Sequence, residues 1–218
     1  MASLRFEMDG EWDLGDLNAL ASTLRITYAY FYWSNVNADS MPQQVRTLMS
    51  RYFWSGEYIG ERFAEQLYWN IPESDRTKLK SIEYHSPGWI EISGAAGALA
   101  ASAYAAKSWI EVAEKTLDLI ERIEKFFERR RLKKIEKKVS LADIDGATID
   151  EARAMCFEVG KMLSMSDTQV ENVIDITGTP ISALRMLMTM AGAARKTGDL
   201  AAKGKLKLPA KRQVNDDE

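Results

Sequence analysis

Residues 85–115 read HSPGWIEISGAAGALAASAYAAKSWIEVAEK, a run of glycine, alanine and serine fenced by Trp89 and Trp109 and leading into a charged stretch. Three structures compete for this run, and the choice decides the fold. A phosphate-binding loop needs GxxxxGKS/T spacing, with a lysine placed for the β and γ phosphates; Gly94-Ala95-Ala96-Gly97 has neither the spacing nor the lysine. A membrane span would explain the tryptophan anchors and the lack of charge between Glu91 and Lys107. Residues 92–106, however, make only about 22 Å of helix against a hydrocarbon core of about 30 Å. The third structure, a helix with a thin face, fits best. Ala95, Ala98, Ser102 and Ala105 recur every three or four residues, and side chains this small let a second helix approach closely.

The stripe continues downstream. Val112/Ala113, Leu119/Ile120 and Phe126/Phe127 are apolar pairs spaced seven apart, with Thr116/Leu117 and Ile123 between them, which is a heptad-like pattern. Joined to the alanine-rich run it predicts one helix of about 40 residues and roughly 60 Å. A 218-residue chain cannot cover such a helix along its whole length. Part of it is therefore expected to project and pair with copies of itself through Ala98, Ser102, Ala105, Ala113, Leu117, Ile120, Ile123 and Phe127. The competing expectation is that the C-terminal helices fold back over the stripe.

The same helix ends in a basic run. Lys125 to Lys138 holds eight basic residues against two acidic ones, and Arg129, Arg130, Arg131, Lys133, Lys134 and Lys137 are the candidate contacts for nucleic-acid phosphates or anionic lipid headgroups. The simpler reading is a solvated helix end whose cations complement the macrodipole, because no readout motif accompanies the run.

Upstream, LRFEM at Leu4–Met8 alternates apolar with polar residues and meets the turn signal Asp9-Gly10, so it reads as a short strand. Leu17, Leu20, Leu24, Tyr28 and Phe31 then mark one face of a helix over about 14–36, and a second aromatic-rich helix spans roughly 42–70. Helices so rich in rings are expected to pack on each other, with an aromatic ligand cage as the minor alternative. Leu79, Ile82 and Tyr84 alternate loosely before Ser86-Pro87-Gly88 and read as a second strand. The expected fold class is α+β, mostly α: a small two-stranded sheet of Leu4–Met8 with Leu79–His85, aromatic-rich helices over it, one long heptad-like helix, and a C-terminal three-helix module.

That module opens after the linker SLADIDGATIDE at 140–151. Thr148 and Glu151 have the spacing of a capping box for a helix over 149–164, Ser166 and Gln169 that of a second, and Thr179-Pro180 supplies N-cap and N1 of a last helix reaching about Ala194. Asp143 and Asp145 before Gly146 lack the other ligands of a calcium loop. The chain thus divides into an N-terminal α+β domain (1–90), the long helix (91–139), the helical module (140–196) and a flexible basic tail (197–218).

The N-terminal strand and helix, the Ser86-Pro87-Gly88 turn followed by Trp89 and Glu91, the nearby Gly94 and the long Lys/Arg-rich helix together resemble a bacterial protein family with no assigned activity. The resemblance covers about the first two thirds of the chain and implies no substrate or cofactor.

Composition narrows the function. With 46% hydrophobic and 28% charged residues the chain is too apolar for disorder throughout. Cys156 is its single cysteine and His85 its single histidine, which leaves no internal disulfide and little to bind a metal. The first residues, MASLRFEMDGEWD, lack the basic start and apolar run of a signal peptide, so a cytoplasmic protein is expected, with membrane association as a secondary state. No nucleophile, base and orienting group share a recognisable spacing. The expectation is a non-enzymatic, self-associating interaction or assembly protein: a homo-oligomer open to a protein partner, with no cofactor, metal or small-molecule substrate. An accessory role in bacterial stress or phage defence would suit it. The alternatives are a membrane-acting effector that inserts residues 92–106 after oligomerisation, and a sequence-independent nucleic-acid binder using residues 125–138.

Overall fold

The computed structural model describes residues 2–54, 60–85, 87–111, 113–129 and 144–207. In chain order these form β1 (Ala2–Met8), α1 (Leu14–Ser34), a 3-10 turn (Ala38–Ser40), α2 (Gln43–Trp54), α3 (Gly60–Trp69), β2 (Lys78–Glu83), β3 (Gly88–Gly94), α4 (Ala96–Glu111), α5 (Ala113–Arg129), α6 (Gly146–Met162), α7 (Asp167–Thr177), α8 (Pro180–Ala202) and β4 (Leu206–Lys207). The α+β, mostly helical character is as expected. The sheet is not.

It has four antiparallel strands in the order β2-β3-β1-β4, where a two-stranded sheet of Leu4–Met8 with Leu79–His85 was expected. Between those two strands lies β3, built from residues expected to open the long helix. Its partner is β1, in the register Leu4↔Ile92, Phe6↔Ile90 and Met8↔Gly88. Trp89-Ile90-Glu91-Ile92-Ser93 does alternate, and the alternation sorts Ile90 and Ile92 to the face that Leu4 and Phe6 bury. Five residues between a turn and an alanine run are a weak period-2 signal, and the pairing with β1 decides the matter.

Close approach fixes two glycines there. A β-carbon at Gly88 would stand 2.4 Å from the carbonyl oxygen of Glu83 and 2.6 Å from that of His85, so the β2–β3 connection admits no side chain. At Gly94 it would stand 3.0 Å from the ring of Tyr28. The Tyr28 hydroxyl donates to the carbonyl of Asp75 and accepts from the N–H of Ala95 at 2.7 Å. One side chain of α1 thus holds the end of β3 and satisfies an N–H just ahead of α4, where helices leave donors unpaired.

The helical layer is organised around α1, whose second half is almost wholly buried. Asp13 and Asp16 form a reciprocal capping box at its start. At its far end the Asn172 amide of α7 donates to the carbonyls of Ser34 and Val36, each at 2.7 Å. The aromatic helices pack as anticipated: Trp33 donates its indole N–H to the Leu67 carbonyl at 3.1 Å, and the Tyr30 and Phe63 rings lie 6.2 Å apart.

Local signals place the C-terminal helices well, with one correction. Ser166/Gln169 form the capping box of α7, and Thr179-Pro180 begin α8. The N-cap of α6 is Asp145 rather than Thr148; its carboxylate accepts from both the backbone N–H and the hydroxyl of Thr148. The helix starts one turn earlier than expected, so Thr148 lies inside its first turn and its hydroxyl donates to the Asp145 cap instead of capping the helix itself. Helix α8 runs to Ala202, beyond the expected end near Ala194, and packs on α1, α4 and α6. Leu206 is buried, and one cluster of buried side chains extends from Leu4 through Leu184 to Leu206.

Candidate functional site

The residues expected to mediate self-association lie largely inside one chain. Ala98, Ser102 and Ala105 are buried on α4, which packs against α1 and α8, and the Ser102 hydroxyl returns to the Ala98 carbonyl at 2.7 Å. The thin face does receive a second helix closely, as its composition suggested, but that helix belongs to the same chain. On α5, Leu119, Ile123, Phe126 and Phe127 are buried and Ile120 is half-buried. Ion pairs Arg122–Glu158 (2.9 Å) and Arg129–Glu151 (3.4 Å) tie this helix to α6, so the C-terminal helices cover its stripe. The side chains of Ala113 and Leu117 lie outside the described residues.

Of the basic candidates, Arg129 is described; Arg130, Arg131, Lys133, Lys134 and Lys137 fall outside the described residues. Arg129 lines a groove of about 330 Å³ between α5 and α6, together with Arg122, Lys125, Glu128, Glu151 and Met155. Each cation there faces a carboxylate, with Lys125 paired to Glu121 at 2.5 Å along its own helix. An incoming phosphate would compete with these carboxylates and meet Glu128 as well.

Catalytic chemistry is thinly provided. Cys156 is buried, its thiol is pushed up to about 12 by desolvation, and it sits 3.2 Å from the Pro180 carbonyl, an environment that disfavours thiolate. Tyr28 is likewise raised to about 12 by burial, and Tyr32 is raised by burial and by its 2.7 Å hydrogen bond to the Asp75 carboxylate. Both hydroxyls serve as structural donors at neutral pH. Among the described residues there is no group of three or more His, Cys, Asp or Glu positioned for a metal ion, and no helix long and apolar enough to cross a membrane.

The surface that sequence reasoning missed is the β2 edge of the sheet. Cover over the inner face fades from strand to strand: Leu4, Phe6 and Met8 of β1 are buried, Ile90 and Ile92 of β3 are partly buried, and on β2 Leu79 and Ile82 are 60% and 46% exposed. Leu79 stands opposite Ile92 and Ile82 opposite Ile90, so both point to the inner face beyond the reach of the helices. Tyr84, just past the strand, is 63% exposed, and its hydroxyl accepts from the Trp12 N–H at 3.4 Å. Leu79, Ile82 and Tyr84 were visible as a strand pattern, but their exposure follows from where the helical layer ends. The chain matches no family model, no curated protein and no solved structure.

Proposed function

We propose that this protein is a self-associating interaction protein without a catalytic centre of its own, and that it associates through the sheet edge rather than the long helix. The observation that carries this reading is the row Leu79, Ile82 and Tyr84, three large apolar side chains exposed together at a strand whose outer side has no neighbour in the sheet among the described residues. An edge strand presents unpaired N–H and C=O groups, which folded proteins blunt with lysines, bulges or charges turned to the inner face; β2 carries Lys78, Lys80 and a bulge but no charge on its inner face. Here the inner face of the edge is apolar. The α5 stripe supports association less well, since its apolar side chains are already buried against the chain's own helices.

Light scattering at roughly 10 µM, a concentration that populates associations of ordinary affinity, tests the reading. A mass above the 24.6 kDa of one chain is expected. A monomer at this concentration and at tenfold higher would overturn it.

A further inference from the structure

We infer that β2 pairs with β2 of a second copy in one specific register, antiparallel about a two-fold axis through Ser81, so that two sheets merge into one of eight strands. The inference rests on the self-association reading and specifies its geometry.

A β-bulge sets the register. Along β3, Leu79 opposes Ile92 and Ser81 opposes Glu91, with Lys80 taken up between them. The bulge puts Leu79 and Ile82, three residues apart, on the same inner face, and Lys78 and Glu83, five apart, on the outer face. In an unbroken strand neither pair could share a face. Two copies related by a two-fold axis must match residues that share a face. With the axis at Ser81, each Leu79 meets the partner's Ile82 on the inner side and each Lys78 meets the partner's Glu83 on the outer side. Every such contact occurs twice.

The chemistry is complementary at both levels. The two exposed apolar residues of the strand cover each other's counterparts, and opposite charges stand directly across the new seam, the arrangement that stabilises an antiparallel pair. Lys78 has no oppositely charged residue opposite it within its own sheet, where its neighbour is Ser93. Moving the axis to Ile82 keeps apolar contact, Leu79 against the partner's Tyr84, but sets Lys78 against His85, and moving it to Leu79 sets Lys78 against Ser81, so the charge pairing is what is particular to this register. Lys80 has no partner in the β3 ladder, and leaving it out of the new seam as well makes Lys78 the lysine that faces the partner there.

Charge reversal and cysteine trapping test this on the full chain. Lys78→Glu and Glu83→Lys should each weaken the dimer about tenfold or more, by placing like charges opposite each other twice, and the double variant should recover wild-type affinity. Ser81→Cys should crosslink to itself on mild oxidation, because directly opposed residues of antiparallel strands have Cα atoms about 4.5 to 5.5 Å apart, within disulfide reach. Tyr84→Cys, well off the axis, should not, and Cys156 is buried. A wild-type oligomer indifferent to both reversals, with no Ser81→Cys crosslink, would overturn the register while self-association stands. A wild-type monomer would overturn both and leave the edge to a foreign strand.

Discussion

The two edges of the sheet are finished differently. On the β1 side, Leu206 and Lys207 add a two-residue strand against Met8 and Glu7. Lys205 reaches Asp16 at the start of α1, and the Trp12 indole donates to the carbonyls of Asp9 and Lys205. Leu206 is only 2% exposed, so at Glu7 and Met8, the last two residues of β1, this edge is closed by the chain that continues from α8. On the β2 side the described helices stop one strand short, and Leu79 and Ile82 on the inner face remain exposed. The contrast separates stability from association: the first edge belongs to the core, the second to a partner.

The largest effect is expected at the connection both strands of the open edge share. Gly88→Ala would drive a β-carbon against two backbone oxygens and should cost about 3 kcal/mol, lowering Tm by about 6 to 12 °C in a chain of this size and abolishing association at once. Calorimetry beside light scattering would check both. A variant with unchanged Tm would show that the hairpin can relax.

The edges themselves should respond in opposite ways. Leu206→Asp buries a carboxylate without a partner and should lose about 2 to 3 kcal/mol of stability while leaving the dimer constant unchanged. Ile82→Asp, on an exposed residue, should leave stability within about 0.5 kcal/mol and dissociate the dimer. Equal losses of Tm from the two substitutions would erase the distinction between them.

A smaller effect on stability is expected from pH at the closed edge. The Lys205 ammonium, followed by the Asp13 backbone N–H, holds the Asp16 carboxyl below its ordinary value, and Asp16 in turn raises Lys205. A carboxylate lowered in the folded state contributes stability that is present above its unfolded pKa and lost as pH falls through the folded one; a raised lysine contributes below its unfolded pKa and loses that contribution as pH rises through the folded value. The urea midpoints of wild type and Asp16→Asn should therefore differ at neutral pH and converge in acid. A difference that persisted at pH 2 would assign the effect to packing.

The smallest change is expected on the outer face, where Arg5 lies 4.1 Å over the Trp89 ring and 3.4 Å from Glu91. Both contacts are exposed to solvent, so Arg5→Ala should cost under about 1 kcal/mol, with a shift in Trp89 fluorescence and no change in association.

Much of the fold was legible where a signal is local. The alternation of Leu4 to Met8, the box of Ser166 with Gln169 and the Thr179-Pro180 start are each set by neighbours within a few residues. β3 and β4 were not legible, because five alternating residues and two residues respectively become strands only through the partners that β1 supplies. The stripe on α5 was legible as an amphipathic face, but a stripe does not say whether its cover comes from the same chain or another copy. Of the candidate surface, the sequence showed Leu79, Ile82 and Tyr84 as a strand; their exposure depends on how far the helical layer extends, which no local pattern encodes.

The contact between the buried hydroxyls of Thr23 and Thr197, 3.0 Å apart across α1 and α8, has a consequence for how the protein is made. At about 5 to 20 residues per second, on the order of 10 to 30 s separates the synthesis of these two residues. Throughout that interval the face of α1 that α8 will cover, with Thr23 on it, is left without α8. The nascent chain should thus expose this face until α8 is made, and contacts this distant in sequence slow folding thereafter. A chain truncated after Thr177 should bind a hydrophobic dye and be cut by protease within residues 14–34, where the full chain resists both; protection of α1 in the truncated chain would show that it finds another cover first.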